Sequence, residues 1–127
     1  MIGRRSDFDL VFWVLVGTVA VMVGGASIGS AIAGEFSGMA SFYGNESGSQ
    51  TASGQRFNQN ALTAAHRSLP FGTKLRVSRR GLSVVVTVND RGPFIRGRVL
   101  DLSTAAARQL DLIGDGVGRV TAEILTK

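Results

Sequence analysis

Cysteine is absent from this chain, and its absence excludes disulfide staples, thiolate metal sites and a lipid-modified N-terminal cysteine. Histidine occurs once, as His66. With no second histidine and no cysteine, a conventional zinc site cannot be assembled. No Gly-Lys-Ser/Thr sequence is present, which argues against a phosphate loop. A Ser–His–Asp hydrolase is conceivable from the abundant serines, but beyond residue 33 there is no Gly-x-Ser-x-Gly elbow to support it. Carboxylates are scarce. Leaving aside Asp7 and Asp9 near the start, they are Glu35, Glu46, Asp90, Asp101, Asp111, Asp115 and Glu123. Chemistry that needs an acid or a base must draw on this short set.

Charge is also missing from one long stretch. From Leu10 to Gly34 there is none, and Leu10 to Val23 is almost wholly apolar. Arg4 and Arg5 precede it, diluted by Asp7 and Asp9, and Ala31-Ile32-Ala33 ends it with small residues at the −3 and −1 positions of a cleavage site. This pattern predicts a secretory signal, residues 1–33, cut after Ala33. The alternative is an uncleaved anchor, since an uncharged run of this length could span a bilayer. Gly17, Gly24, Gly25 and Gly29 weaken that alternative. Either way the remainder is delivered to the same side of the membrane, outside the cytoplasm. Residues 34–127 then form one small domain. A domain that small, lacking staples, suits a compact closed β-structure.

The formal net charge is +5, carried mostly by arginine. A basic balance suggests an anionic partner. Nucleic acid fits poorly, because the domain is exported and its arginines are scattered rather than clustered on one helix. A cell-wall polymer carrying carboxylates and phosphates fits better.

Gly34–Gly38 reads as a linker and Met39–Tyr43 as a first strand. Residues 44–54 are rich in Gly, Ser and Asn and read as a loop. Ala61–His66 is a short apolar run that propensity alone would allow as a helical turn. Thr73–Arg80 and Leu82–Val88 read as a hairpin turning at Arg79-Arg80-Gly81. Gly97–Leu102 is a further strand, and Ser103 looks like the N-cap of a helix ending near Asp111. Gly118–Leu125 alternates and closes the domain. About six short strands and one or two short helices predict a mainly β small barrel.

The segment Asn89-Asp90-Arg91-Gly92-Pro93-Phe94 places a carboxylate where an apolar strand breaks into a turn. Pro93 lacks an N–H and Gly92 tolerates unusual backbone angles, so the strand must end there. Asp90 either starts the turn by bonding nearby amides or is presented as an acid/base group. Asp101 precedes the helix and suits a capping or strand-end role. Asp111 and Asp115 sit in a Gly-rich turn where solvated roles are expected, and Glu123 should face water. Glu46 lies on the loop. His66, in an apolar run, is by default a packed or hydrogen-bonded structural group.

Several segments, in order, carry a resemblance. They are Gly38–Gly44, Thr51–Asn58, Leu62–Thr73, Val88–Phe94, Gly97-Arg98 and Asp101-Leu102-Ser103. Together they resemble the RlpA (rare lipoprotein A)-like lytic transglycosylases over nearly all of residues 38–125. The resemblance implies a six-stranded double-psi β-barrel and a peptidoglycan glycan strand as partner. It implies cleavage between N-acetylmuramic acid and N-acetylglucosamine, with the muramic C6 hydroxyl attacking its own anomeric carbon to leave a 1,6-anhydro end. An internal nucleophile removes the need for a second catalytic carboxylate. Asp90 would serve as general acid and then base, with His66 orienting substrate or hydrogen-bonding Asp90. Tyr43, Thr51, Gln55, Asn58, Arg91 and Asp101 would bind substrate, and Phe42 and Tyr43 could stack on a sugar face. No cofactor or metal is expected. Membrane contact is expected only through residues 1–33 if they are retained.

The chain departs from the family pattern at Gln55 and Asn58, where many members carry Glu and Asp. Amides hydrogen-bond sugars but do not transfer protons at neutral pH. A non-catalytic, expansin-like wall-binding module is therefore the rival expectation. A family-45 type hydrolase is weaker, since it needs a second carboxylate from Asp101 or Glu46.

Overall fold

A computed structural model of the chain describes residues 31–126, except 46, 47 and 49. The expected signal lies almost entirely outside the described residues, as does Glu46. Six strands and one helix follow in order: β1 (Ile32–Tyr43), β2 (Thr63–Ala65), β3 (Lys74–Arg79), β4 (Leu82–Asp90), β5 (Arg98–Ser103), α1 (Thr104–Gln109) and β6 (Gly118–Leu125). The strands close into a barrel in the order β1-β5-β2-β4-β3-β6. Two pairs, β1 with β5 and β2 with β4, are parallel, and the rest are antiparallel.

Period-two alternation produces the interior. Leu75 and Val77 of β3, Val86 and Val88 of β4, and Leu100 and Leu102 of β5 are at most 1% exposed. Each such side chain contributes about 1.5–3 kcal/mol by leaving water. The β3–β4 hairpin turns on two residues, Arg80 and Gly81, both at positive φ. That conformation matches the twist of the flanking strands. Ser103 caps α1, its Oγ accepting from the Ala106 amide and donating to Ala61. At the other end Arg79, 4% exposed, donates Nη1 to the carbonyls of Leu110 and Asp111 at 3.0 and 2.6 Å. It also pairs with Asp115.

Some expectations are corrected. The supposed linker Gly34–Gly38 is strand, because β1 runs from Ile32 and pairs with β6 along its length. Strand backbone is demanded there by β6, whose own edge would otherwise lack partners. Gly38 is needed for the close β1–β5 approach, since a Cβ at this position would lie 2.5 Å from Val99 Cγ1. The Ala61–His66 run supplies β2, not a helical turn. Two neighbours, β4 and β5, claim its backbone hydrogen bonds. The α1 helix stops at Gln109, short of Asp111, whose positive φ ends the turn. Asp115 pairs with buried Arg79, and Glu123 with Arg76 at 2.8 Å, so neither is a free solvated group.

Candidate active site

The short strand β2 brings the two central carboxylates together. Ala65 pairs with Asp90 of β4 on one side and with Asp101 of β5 on the other. Two strand spacings put their α-carbons roughly 10 Å apart, with only a methyl side chain between them. Ser41 of β1 pairs with Asp101 in turn, and Tyr43 lies two residues further along β1.

Asp90 is held by donors. Its Oδ1 accepts from the backbone amides of Ala52 and Arg91, both at 2.8 Å. Its Oδ2 accepts from the Tyr43 hydroxyl at 3.0 Å. The Asp90 side chain thus bonds its neighbour's amide, as the turn reading expects, and also donors from two distant segments. One amide is its own neighbour's, the others come from residues 38 and 47 positions away. The Tyr43 hydroxyl is pushed far above its usual range, first by burial, then by the charge of Asp90, the hydrogen bond to it and the charge of Asp101. It therefore remains a proton-bearing donor at any physiological pH.

The loop between Gln50 and Arg56 is stitched onto the end of β4. The Ser53 amide donates to Asn89 at 3.3 Å, and Asn89 Nδ2 donates to Gln55 Oε1 at 3.2 Å. Gln55 is thereby brought beside Asp90, on the residue preceding it. Thr51 is buried and its hydroxyl faces Ser53 and the Gln55 carbonyl, so it braces the loop. Asn58 is exposed, and its Oδ1 accepts from the Asn60 amide in a local turn, with no contact to Asp90.

His66 does not meet the Asp90 carboxylate through its ring. Its backbone amide donates to the Asp90 carbonyl at 3.1 Å. Its imidazole Nδ1 accepts from the amides of Ser68 and Leu69 at 3.1 and 3.0 Å, which leaves the proton on Nε2. The ring lies edge-on to Phe36 with centroids 5.2 Å apart. It lines a cavity of about 530 Å³ with Phe36, Leu69, Val99 and Ile124. Of the two roles expected of His66, the hydrogen bond to Asp90 is made by its backbone and not by its ring, which the 66–69 turn and Phe36 hold. Burial, then Arg67 and Arg91, lower the affinity of this imidazole for a second proton.

Arg91 points away from the carboxylate beside it. Its Nη1 donates to the carbonyls of His66 and Leu69 at 3.2 and 2.8 Å, and its guanidinium lies 4.0 Å above the Phe71 ring. Asp101 accepts from the Ser41 hydroxyl, and Arg98 Nη2 stands 3.9 Å from the same oxygen. Helix capping falls to Ser103, so Asp101 keeps its side chain on the site. Among the aromatics, Phe42 packs against the core. One face of Tyr43 is covered by Phe57, stacked at 4.7 Å. The sugar-stacking expectation for these two rings is therefore weakened by packing. Sequence reasoning missed Ser41, the Ala52 amide, Asn89 and the exposed Phe94. All four lie within the segments that carried the resemblance, Asn89 and Phe94 in the one around Asp90.

Chemically, the arrangement offers one positioned carboxylate with a permanent hydroxyl donor, a second carboxylate two strands away and an amide side chain between loop and strand. A carboxylate positioned in this way can move a proton to or from an oxygen of a bound ligand.

The family model described as lytic transglycolase matches residues 35–122. A probable endolytic peptidoglycan transglycosylase RlpA of Nostoc sp. (strain PCC 7120) is 60% identical over 103 residues, covering 77% of this chain and 28% of that protein. The endolytic peptidoglycan transglycosylase RlpA of Pasteurella multocida is 50% identical over 91 residues, covering 69% of this chain and 31% of that protein. The chain thus spans under a third of the length of these relatives. Among solved structures, a Streptomyces papain inhibitor superposes with a TM-score of 0.63 at 23% identity, covering 75% of this chain and 97% of that one. A mutant Clavibacter michiganensis expansin in complex with cellohexaose gives a TM-score of 0.58 at 22% identity, covering 73% of this chain and 50% of that one. These two likenesses concern the fold, the double-psi β-barrel.

Proposed function

This chain belongs to the lytic transglycolase family, and from that membership we propose that it is an endolytic peptidoglycan transglycosylase. Its substrate is the glycan strand, cut between N-acetylmuramic acid and N-acetylglucosamine. The muramic C6 oxygen forms a bond to its own C1 while the C1–O bond to the next sugar breaks. The leaving oxygen gains one proton and the C6 hydroxyl loses one, so no net proton is consumed. Asp90 handles both transfers, as acid and then as base. Tyr43, whose hydroxyl keeps its proton at physiological pH, holds the Asp90 carboxylate throughout. Arg91 braces the 66–69 turn behind it, and Gln55 and Asp101 hydrogen-bond sugar hydroxyls. Residues 1–33 act as the export signal, residues 34–127 as the catalytic domain, and the site of action is the cell envelope on the periplasmic side.

The observation that carries this reading is the Asp90 carboxylate fixed by three donors at a strand end, in a chain whose relatives bear that activity in their names. Incubating the full chain with peptide-free glycan strands tests it, with Asp90→Asn in parallel and mass spectrometry of the ends. New 1,6-anhydromuramic ends from the native chain alone support it. The second reading, a glycan-binding module that does not cut, is favoured by one observation: the loop side chain bonded to Asn89, the residue before Asp90, is the amide of Gln55. It predicts retained binding and no new ends.

A further inference from the structure

The loop between β4 and β5 displays a ring that nothing in the fold explains. Phe94 is 78% exposed and Ile95 56%. The loop itself is pinned on both sides of them. Pro93 is buried, the Ile95 carbonyl accepts from the Arg98 amide at 3.0 Å, and the Gly97 carbonyl accepts from the Met39 amide at 3.0 Å. Phe94 is therefore presented by an anchored loop and makes no core contact.

Its position relative to the site is fixed by Gly92. The place a Gly92 Cβ would occupy lies 3.6 Å from Phe94 Cε2 and 4.0 Å from Asp101 Oδ2. Gly92 has φ of +122°, a backbone conformation in which a side chain would be strained. The bare Gly92 backbone is thus a floor shared by an aromatic ring and a carboxylate oxygen. Asp101 Oδ1 is taken by Ser41, while Oδ2 faces this floor. An apolar ring face next to a hydrogen-bond acceptor matches a pyranose, which has an apolar C–H face and hydroxyls at its rim.

We infer that Phe94 is a substrate-positioning residue that stacks on a sugar ring beside the scissile bond, while Asp101 Oδ2 accepts from a hydroxyl of that sugar. This rests on the glycan-cleaving reading above and adds the residue that grips the strand. Tyr43 has one face covered by Phe57 and Phe42 packs against the core, so Phe94 is the more open ring. A ring stack is worth about 0.5–1.5 kcal/mol, so its loss corresponds to a rise of about two- to twelvefold in KM.

The test uses the full chain and three variants, Phe94→Ala, Phe94→Tyr and Phe94→Trp, on peptide-free glycan strands. Phe94→Ala is expected to raise KM about two- to twelvefold with kcat within about threefold, and Phe94→Tyr to restore KM. Thermal stability should hold in all three, because the side chain is exposed. The chain contains a single tryptophan, Trp13, so the emission of Phe94→Trp minus that of the native chain reports on position 94. It should shift to the blue as glycan is added and stay unmoved with phosphatidylglycerol vesicles. Native cutting with unchanged KM in Phe94→Ala and no emission shift overturns the inference and leaves the activity standing. An emission shift with vesicles but not glycan also overturns it, and makes the loop a membrane contact. A native chain that neither binds nor cuts glycan overturns both readings.

Discussion

Acid should loosen this barrel through His66, and the direction follows from the hydrogen bonds. The imidazole Nδ1 accepts two amides, those of Ser68 and Leu69. A second proton on the ring would have to sit on Nδ1, facing both N–H groups. Burial, Arg67 and Arg91 add to the penalty. The folded imidazole therefore takes up that proton at lower pH than the unfolded one, whose ordinary value is about 6.5. Above that value neither state is protonated and full stability is present. As pH falls below it, the unfolded chain binds the proton first, and stability drops until the folded ring is protonated too. One proton sets a ceiling of about 1.4 kcal/mol per pH unit. The actual slope should lie well under it, because the ring is only partly buried and solvent screens it. His66→Asn, whose Oδ1 can stand in for Nδ1, should remove this slope and hold stability at pH 8 within about 1 kcal/mol. His66→Ala loses two acceptors and the edge contact with Phe36, and should cost about 1–3 kcal/mol at pH 8. Urea unfolding of the three proteins at pH 8, 6.5 and 5 decides the matter, since titrating carboxylates cancel in the differences. Equal slopes for the native chain and His66→Asn would refute the reasoning.

Arg79→Met should destabilise by about 3–5 kcal/mol, as it strips the donor from two carbonyls at the end of α1. Asp115→Asn should cost less than about 1 kcal/mol, because its carboxylate is half exposed. Denaturant midpoints of the two compare the effects, and equal losses would mean that the ion pair, not the carbonyl capping, matters. Tyr43→Phe keeps the stack on Phe57 and removes the donor to Asp90. It should cost about 1–2 kcal/mol and slow glycan cutting at least about tenfold through a poorly held carboxylate. An unchanged rate in that variant would show that the Tyr43 hydroxyl has no part in holding Asp90 during turnover.

The local rules that the sequence spelled out were those a short stretch of chain can enforce alone. The apolar, β-branched run of Leu82–Val88 and the alternation in Gly118–Leu125 named two of the strands. Arg80-Gly81 supplied the hairpin turn and Ser103 the helix cap. Gly92-Pro93 ended β4 just past Asp90. The same segment carried the motif that pointed to Asp90. What alternation cannot state is which strand lies alongside which, because period two reads the same beside any neighbour. Gly34–Gly38 looked like a linker for that reason. Only pairing with β6 makes it strand. Barrel closure, not local pattern, put Asp90 and Asp101 on either side of Ala65 and carried the Tyr43 hydroxyl to Asp90 from 47 residues away. It also turned His66 toward Phe36 and left Phe94 in water. A side chain's direction depends on which groups compete for it in space. The chain supplies those competitors only when distant segments meet.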